Sequence, residues 1–292
     1  MKKYLYKKTD AFTTGLSLGN PAACIYTVEE SLSDEEMLNI AKQHKGFVSE
    51  VVYCASSDKS DIKLTYYSSE CEVDFCGHGT IAAMYELLKN NEALLHKKQI
   101  TFETNKKGPL LLYNEIEKED AVYIAAPEPM HYKVHVTTTE ISNAFGVEEN
   151  VIANNYPLAL IDAGLRTLIV PIASFQSEID VFPCEERLKA FCQDNGVDII
   201  LIFSMDTRNK EYIAHTRVFA PKFGYLEDPA TGSGNSAFGY YMYEYKLWDG
   251  TPAAIEQGGS DRIFNTIKLK MKDNKVLFGG RSTLRIEGYY II

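Results

Sequence analysis

The feature that most limits the fold of this chain is a glycine-rich turn that occurs twice. Cys76-Gly77-His78-Gly79, the first glycine turn, aligns without a gap with Thr231-Gly232-Ser233-Gly234, the second glycine turn, 155 residues later (231 − 76 = 155). Both turns lead into helical segments in which Ala82 corresponds to Ala237. A repeat at a fixed offset predicts two lobes of similar structure. Chance similarity between two glycine-rich helix starts is the alternative.

The residues around the first glycine turn predict helices and strands in a definite order. Ser33-Asp34-Glu35-Glu36 is a capping box, and Met37, Ile40 and Ala41 follow it at helical spacing. A second helix runs from the first glycine turn to about residue 88. Segments rich in β-branched and aromatic residues predict strands, at 47–54, 62–67, 100–104, 110–113 and 122–124.

The same order returns around the second glycine turn. A short helix ends at Gly146, another ends near Asn195-Gly196, and a third runs from the turn to about Tyr245. Strands are predicted at 197–203, 212–219, 267–271, 276–278 and 284–292. We therefore place lobe 1 at 1–118 and lobe 2 at 119–281, with the strand at 282–292 returning to lobe 1.

Charge and hydropathy exclude several classes of protein. The chain has 30 Lys and Arg against 40 Asp and Glu, a net charge of −10, and such an acidic protein without a basic block binds nucleic acid and anionic membranes poorly. No stretch approaches the roughly 18 apolar residues of a membrane span, and no apolar stretch follows the basic N-terminus, so we expect no signal peptide. We predict a cytoplasmic protein with six reduced cysteines.

Metal and nucleotide cofactors are not expected. No pair of cysteines forms CxxC, and Cys71, Cys76 and His78 fall short of the four closely spaced ligands that a structural zinc site needs. The first glycine turn lacks the third glycine of GxGxxG, and no GxxxxGK[ST] motif occurs.

Each glycine turn is a candidate binding site for an anion. A helix N-terminus carries unpaired N–H groups and a partial positive charge, and glycines let a ligand approach the backbone closely. The second reading is an ordinary tight turn between a strand and a helix, but two matched copies favour the first. In an acidic chain, such local positive dipoles would serve a small anionic metabolite.

Glu50 is a candidate general acid/base. On a strand it shares a face with Val48 and Val52. If this face is buried, desolvation raises the pKa of the carboxyl toward neutrality, which suits proton transfer near pH 7. A solvated face is the alternative, and it is the commoner environment for an isolated glutamate.

Three further side chains at the turns each allow two interpretations. Asp228 either caps the second helix as a turn residue before Pro229 or presents a carboxylate at the mouth of the anion site. His78 is either a neutral hydrogen-bonding imidazole at the helix N-terminus or a solvated surface residue. Cys76 is either a thiol with a lowered pKa or a small buried residue. A Cys76 hydrolase would need a histidine base, and His78, two residues away, is poorly placed for that role.

Blocks spread over nearly the whole chain match one known family in order. The sequence resembles the PhzF family of phenazine-biosynthesis-like isomerases, which are themselves similar to diaminopimelate epimerase. The matching blocks are Asp10-Ala11-Phe12-Thr13, Gly19-Asn20-Pro21-Ala22-Ala23, Ser49-Glu50, Glu72-Val73-Asp74-Phe75-Cys76-Gly77-His78, Phe102-Glu103-Thr104, Arg217-Val218-Phe219-Ala220-Pro221, Glu227-Asp228-Pro229-Ala230-Thr231-Gly232-Ser233, Gln257-Gly258 and Gly279-Gly280.

The resemblance implies an α+β fold of two similar lobes, each a curved mixed sheet around a central helix, with the active-site cleft between them. It implies a homodimer that needs no cofactor or metal. The family's catalytic acid/base maps onto Glu50, and its substrate-contacting aspartate, histidine and serine map onto Asp228, His78 and Ser233. We take Glu50, His78 and Asp228 as the candidate catalytic residues. The candidate substrate-binding residues, most of them in the two glycine turns, are Asn20, Cys76, Gly77, Gly79, Thr231, Gly232, Ser233 and Gly234.

The chain departs from the pattern at three positions. The epimerase uses two opposed cysteines as bases, but here the second is Thr231, whose hydroxyl is too weak an acid for that role, so two-thiol racemisation is not expected. Gly79 replaces the usual alanine after Gly-His, and Val51 replaces the usual threonine after Ser-Glu. We therefore predict a cofactor-independent isomerase that moves a proton on a small carboxylate-bearing metabolite with Glu50 as acid/base. The alternative is a non-catalytic small-molecule binding protein on the same scaffold.

Overall fold

The computed structural model of the protein describes residues 1–28, 30–259 and 263–292. The chain divides into two compact units. Unit 1 comprises Met1–Ala125 and Gly279–Ile292, and unit 2 comprises Ala126–Phe278. Among the described residues, no helix has the length and apolar character of a membrane span.

The division between the units lies after Ala125 rather than after residue 118. The reason is that strand Val122–Ala125 pairs with Gly108–Asn114, so it completes the sheet of unit 1. The C-terminal strand Ser282–Ile291 pairs antiparallel with Lys3–Ala11 in the same sheet.

Unit 1 places its glycine turn between a short strand and a long buried helix. Its elements in chain order are β1 Lys3–Ala11, β2 Asn20–Tyr26, α1 Asp34–Gln43, β3 Glu50–Ala55, β4 Ile62–Tyr67, β5 Glu72–Val73, α2 Gly77–Lys89, α3 Glu92–Leu95, β6 Gln99–Thr104, β7 Gly108–Asn114, α4 Ile116–Glu119 and β8 Val122–Ala125.

One mixed sheet forms the body of unit 1. Its order is β8, β7, β6, β4, β3, β2, β1 and the C-terminal strand; β2–β3 and β4–β6 are parallel, and the other neighbours are antiparallel. Helix α2 packs against β1, β2, β3 and β8, and all its residues from Gly79 to Glu86 are buried. Helix α1 has the predicted capping box at Ser33 and buries Met37, Ile40 and Ala41 in a separate hydrophobic cluster.

Unit 2 repeats this plan, and the C-terminal strand of the chain returns to unit 1. The remaining elements of the chain are β9 Met130–Tyr132, α5 Thr138–Phe145, a 3-10 turn at Glu149–Val151, β10 Ala159–Asp162, β11 Arg166–Pro171, α6 Phe175–Ile179, α7 Glu185–Asp194, β12 Ile199–Ser204, β13 Ala214–Phe219, a 3-10 turn at Pro221–Phe223, β14 Glu227–Asp228, α8 Gly232–Glu244, β15 Ala253–Gln257, β16 Asn265–Lys272, β17 Lys275–Gly280 and, as β18, the C-terminal strand Ser282–Ile291.

The strand pairing in unit 2 reproduces that of unit 1. β11–β12 and β13–β15 are parallel, whereas β9–β10, β10–β11, β12–β13 and β15–β16 are antiparallel. The short strands β5 and β14 each pair antiparallel with the strand before them. Helix α8 packs against β10, β11, β12 and β16, while Ile141, Phe145 and Leu188 of α5 and α7 belong to a second hydrophobic core.

The two units match residue by residue around the glycine turns. Helices α2 and α8 both have 13 residues and begin 155 positions apart (232 − 77). The short strands that precede them, β5 and β14, are offset by the same 155 (227 − 72). The predicted duplication into two similar lobes is therefore confirmed.

Candidate active site

Glu50 lies where three elements of unit 1 meet. It is the first residue of β3, and Ala22 of the parallel strand β2 lies opposite it. Asn20, which begins β2 and is 2% exposed, is therefore at the same end of the sheet. The strand begins at Glu50 rather than at the predicted residue 47, because Phe47 is still in the exposed turn after α1.

The first glycine turn brings a thiol and an imidazole to the Glu50 carboxyl. His78 Nε2 lies 3.2 Å from Glu50 Oε2, and Cys76 Sγ lies 3.5 Å from His78 Nδ1. The expectation that His78 is poorly placed beside the thiol was wrong, because Cys76 is the N-cap and its extended backbone turns Sγ toward the first helical turn. There Sγ accepts a hydrogen bond from the Gly79 N–H at 3.3 Å.

Burial sets the protonation of Glu50. The side chain of Glu50 is 20% exposed and that of His78 is 14% exposed. Glu50 Oε2 is buried, and no described residue gives it a well-aligned hydrogen-bond donor. Desolvation therefore raises the pKa of Glu50 to about 7, and a hydrogen bond from the Cys76 thiol opposes this rise only in part. A carboxyl with this pKa can both take and return a proton near pH 7.

The same three side chains offer one carboxylate, one thiol and one imidazole atom within 4.8 Å of one another. A structural zinc site uses four such ligands. Cys71 lies apart from this group and is exposed. The expected absence of a resident metal stays a prediction.

Both turns need glycine because the chain approaches its neighbours closely. A Cβ on Gly79 would lie 2.8 Å from Val52 Cγ2 and 3.0 Å from Cys76 Sγ. A Cβ on Gly232 would lie 2.4 Å from the ring of Phe278. Since real Cβ contacts are longer, a larger residue would push either helix N-terminus out of position.

The second glycine turn is organised around Asp228 and Thr231. Thr231, not Asp228, is the N-cap of α8, and the helix N-terminus has no side-chain cap. Asp228 therefore does not play the capping role that its place before Pro229 allowed. Instead its Oδ2 accepts a hydrogen bond from the Thr231 hydroxyl at 2.6 Å. Gly232 and Gly234 are buried behind this pair, and Ser233 is half-buried.

Gln257 is hydrogen-bonded to this turn from the interior of unit 2, and it was not among the predicted site residues. Its Oε1 accepts from the Thr231 N–H at 3.0 Å and from Asn235 Nδ2 at 2.7 Å. Its Nε2 donates to the Asp228 carbonyl at 2.8 Å and to Thr231 Oγ1 at 3.1 Å. Gln257 and Asn235 are fully buried. The only sequence signal was the Gln257-Gly258 block of the family pattern.

An ion pair between buried Arg217 and half-buried Glu227 anchors the strand that carries Asp228. Arg217 of β13 is 2% exposed, and its Nε and Nη2 donate to the two carboxylate oxygens of Glu227 at 2.9 and 2.8 Å. Its Nη1 donates to the carbonyls of Glu178 and Val181 at 2.8 and 2.7 Å. Such a bidentate pair fixes geometry as well as charge, so the backbone of β14 is tied to the interior of unit 2.

A family model described as phenazine biosynthesis-like protein, PhzC-PhzF, matches residues 9–288 of the chain. This range includes both glycine turns and Glu50. The match therefore covers both units and every candidate site residue.

Curated relatives match over almost the whole length. The chain is 27% identical to "Antisense-enhancing sequence 1" of Schizosaccharomyces pombe, over 99% of each protein. It is 26% identical to YfhB of Bacillus subtilis, named an uncharacterized isomerase, over 94% of this chain and 92% of the relative.

Solved structures share the architecture. A phenazine biosynthesis protein of the PhzF family from Bacillus anthracis superimposes with a TM-score of 0.87 at 25% identity, over 100% of both chains. A hydroxyproline epimerase from Agrobacterium vitis has a TM-score of 0.60 at 10% identity, over 98% of this chain and 92% of that one, and shares the fold alone. The predicted α+β fold of two similar epimerase-type lobes is confirmed.

Proposed function

Because this chain belongs to the PhzC-PhzF family of phenazine biosynthesis-like proteins, we propose that it moves a proton on a small carboxylate-bearing metabolite. The chain is an isomerase: several curated relatives are named isomerases, and its structural neighbours are of the PhzF and epimerase type. The finer statement concerns the chemistry, in which Glu50 is the general acid/base and no cofactor takes part.

The observation that carries this proposal is the partly desolvated carboxyl of Glu50 beside Cys76 and His78. Its pKa of about 7 leaves both protonation states well populated at neutral pH. One residue can then remove a proton from a carbon made acidic by a neighbouring unsaturated or carboxylate group, and return it elsewhere on the same molecule. This kind of catalysis typically contributes about 10²–10⁴-fold.

The helix N-termini at Gly77 and Gly232 supply the electrostatic part of the proposal. Their partial positive charge favours anionic substrate oxygens and stabilises negative charge as it develops on the carbon skeleton. In this scheme, His78 would hydrogen-bond to the reacting part of the substrate, and Asp228 would contact the substrate from the second turn.

The test is proton exchange with solvent. A panel of unsaturated and amino-substituted carboxylates is incubated with the protein in D2O, and loss of each C–H signal is followed by ¹H NMR. We expect exchange or isomerisation of at least one compound, and a loss of about 10²–10⁴-fold in Glu50→Gln, which keeps the shape but cannot shuttle the proton.

Glu86→Gln is the matched control, because Glu86 is also a buried carboxyl of unit 1 but lies in the third turn of α2, away from its N-terminus. It should exchange protons like the unmodified protein. Equal activity in Glu50→Gln would remove Glu50 from its role. Tight binding of a panel compound without any exchange would favour the alternative, a non-catalytic binding protein in which Glu50 only accepts a hydrogen bond.

A further inference from the structure

In the hydrogen-bond network behind the second glycine turn, the donor and the acceptor of each bond can be deduced from the groups that can only donate. The backbone N–H of Thr231 can only donate, so the Gln257 atom that faces it at 3.0 Å is the oxygen Oε1. Asn235 Nδ2 agrees with this, since it donates both to the Thr231 carbonyl at 2.9 Å and to Gln257 Oε1 at 2.7 Å. The orientation of the Gln257 amide is therefore determined.

The direction continues to Asp228. With Oε1 assigned, the other end of Gln257 is the amino group, which donates to the Asp228 carbonyl and to Thr231 Oγ1. A hydroxyl has a single proton, and because Thr231 Oγ1 accepts from Gln257, its proton points to Asp228 Oδ2 at 2.6 Å. Gln257, Thr231 and Asp228 thus form a one-way relay of hydrogen bonds.

Burial makes this arrangement hard to change. Gln257 and Asn235 are 0% exposed and Thr231 is 6% exposed. If the Gln257 amide were reversed, its amino group would face two other donors, the Thr231 N–H and the Asn235 amino group. All three would lack an acceptor there, and unpaired buried donors are costly. Strand pairing also holds Gln257 in place, since it lies opposite Thr216 of β13.

We propose that Gln257 and Thr231 are positioning residues that hold the Asp228 carboxylate in one orientation for the substrate. The Thr231 hydroxyl donates its single hydrogen bond to Asp228. It therefore has a structural role and is not a second group that transfers protons to or from the substrate. The inference rests on the proposed function only in taking Asp228 as a substrate contact; the relay itself is a property of the folded chain.

Thr231→Val and Thr231→Ser test the relay without any substrate. Valine keeps the size of threonine but has no hydroxyl, whereas serine retains it. In crystal structures of the two variants, we expect Asp228 to leave its present rotamer in Thr231→Val and to keep it in Thr231→Ser. An unmoved Asp228 in Thr231→Val would overturn the proposal, whether or not a substrate has been found.

The exchange assay gives the second readout, with the compound that proves active in the D2O panel. We expect Thr231→Val to exchange protons about tenfold more slowly and Thr231→Ser to stay within about twofold. If Thr231 acts through Asp228, then Thr231→Val adds no further loss to Asp228→Asn. Multiplication of the two losses would show that Thr231 acts independently, and the proposal would fail.

Thr167→Val is the matched control for a buried threonine of unit 2. Thr167 is 0% exposed and its hydroxyl donates only to the Leu165 carbonyl at 2.9 Å. This variant should lose stability as Thr231→Val does, but keep the Asp228 rotamer and the exchange rate. Gln257→Met should reproduce Thr231→Val, and equal exchange by a folded Gln257→Met would remove Gln257 from the relay. If Gln257→Met does not fold, the threonine variants decide the question alone.

Discussion

The two glycine turns share a backbone but differ in what surrounds the N-cap. In both, the residue four positions after the N-cap bonds back to its carbonyl: Thr80 Oγ1 to Cys76 at 2.7 Å, and Asn235 Nδ2 to Thr231 at 2.9 Å. At the first turn, the N-cap thiol contacts His78 and the partly desolvated carboxyl of Glu50. At the second, the N-cap hydroxyl is held in a fully buried amide network.

The carboxylates of the two turns do not occupy equivalent positions. Following the strand pairs from β5 to β3, and from β14 to β12, Glu50 corresponds to Ile199, and Asp228 corresponds to Val73. Ile199 is 1% exposed. Each unit therefore presents one carboxylate at its turn, from a different strand, where the other unit has an apolar residue.

This difference separates a titrating group from a fixed acceptor. Glu50 is controlled by desolvation, which makes its charge depend on pH near neutrality. Asp228 is controlled by a hydrogen bond donated to it, which favours a constant orientation. A duplicated scaffold can thus give two chemically distinct glycine turns through substitutions at two strand positions.

The largest expected effect is on the free energy of unfolding, which should rise when the carboxyl of Glu50 is replaced and fall when that of Asp228 is replaced. In the folded protein the pKa of Glu50 is about 7, against about 4.5 for an unperturbed glutamate. Between these two values the unfolded chain ionises first, so rising pH lowers the stability of the native state, and the loss is complete above pH 7. Glu50→Gln should therefore be more stable than the native sequence at pH 8, by as much as about 3 kcal/mol.

Urea unfolding at pH 4.5 and pH 8 measures this effect. The gain in Glu50→Gln should shrink to about 0.4 kcal/mol at pH 4.5, where Glu50 is protonated in the folded protein and only half ionised in the unfolded chain. Asp228→Asn should instead lose about 1–2 kcal/mol at pH 8, because it gives up a charge-assisted hydrogen bond from Thr231. Destabilisation of Glu50→Gln at pH 8 would show that Glu50 is better solvated than its burial implies.

The pH dependence of exchange should come from the first turn alone. If Glu50 must be ionised to take the substrate proton, the rate falls about tenfold for each pH unit below 7, or about a hundredfold at pH 5. Rates measured from pH 5 to 8 should show this fall in the native sequence and in Asp228→Asn. If Asp228→Asn no longer shows this fall, the group that titrates is Asp228 at the second turn and not Glu50 at the first.

Local signals in the sequence were enough for helices α1, α2, α5, α7 and α8 and for the duplication, whereas the short helices α3, α4 and α6 were not predicted. The capping box at Ser33, the stop at Gly146 and the two glycine turns are local signals, and each marks a helix end in the structure. Eight strands were not predicted: β1, β2, β5, β9, β10, β11, β14 and β15. Lys3–Ala11 is rich in lysine and became a strand because it pairs on both sides, with β2 and β18, which no local pattern reveals.

The candidate site could be predicted only in part from the sequence, for the same reason. Glu50 could be named as a carboxylate among valines, but its burial depends on Cys76 and His78, which lie 26 and 28 positions later (76 − 50 and 78 − 50). Gln257 lies 26 residues beyond Thr231 and reaches it only because β15 pairs in parallel with β13. Tertiary pairing, not local propensity, decided both environments.

Packing behind the glycines should distinguish the turns by a smaller amount. A methyl on Gly232 would meet the Phe278 ring at 2.4 Å, whereas one on Gly79 would meet Val52 Cγ2 at 2.8 Å. Because a rigid ring yields less easily than a branched methyl, we expect Gly232→Ala to cost about 2–3 kcal/mol and Gly79→Ala about 1 kcal/mol. Thermal unfolding of both variants measures which substitution costs more stability. Gly46→Ala serves as a comparison at an exposed glycine that has a positive φ but no neighbour within 4 Å of the added methyl. A larger loss in Gly79→Ala would mean that the second turn is packed more loosely than the first.

The smallest expected effect concerns the thiol itself. Cys76→Ser keeps an N-cap side chain that accepts from the Gly79 N–H, and serine is a good N-cap residue. If the thiol only supports Glu50 and the turn, proton exchange in Cys76→Ser stays within about threefold of the native rate, as it should in the control Cys71→Ser, whose thiol is exposed. A nucleophilic or basic thiol would instead lose at least about a thousandfold with serine. The close contact of Cys76 Sγ with His78 at 3.5 Å makes this substitution decisive, because that contact alone fits both a supporting thiol and a thiol–imidazole pair.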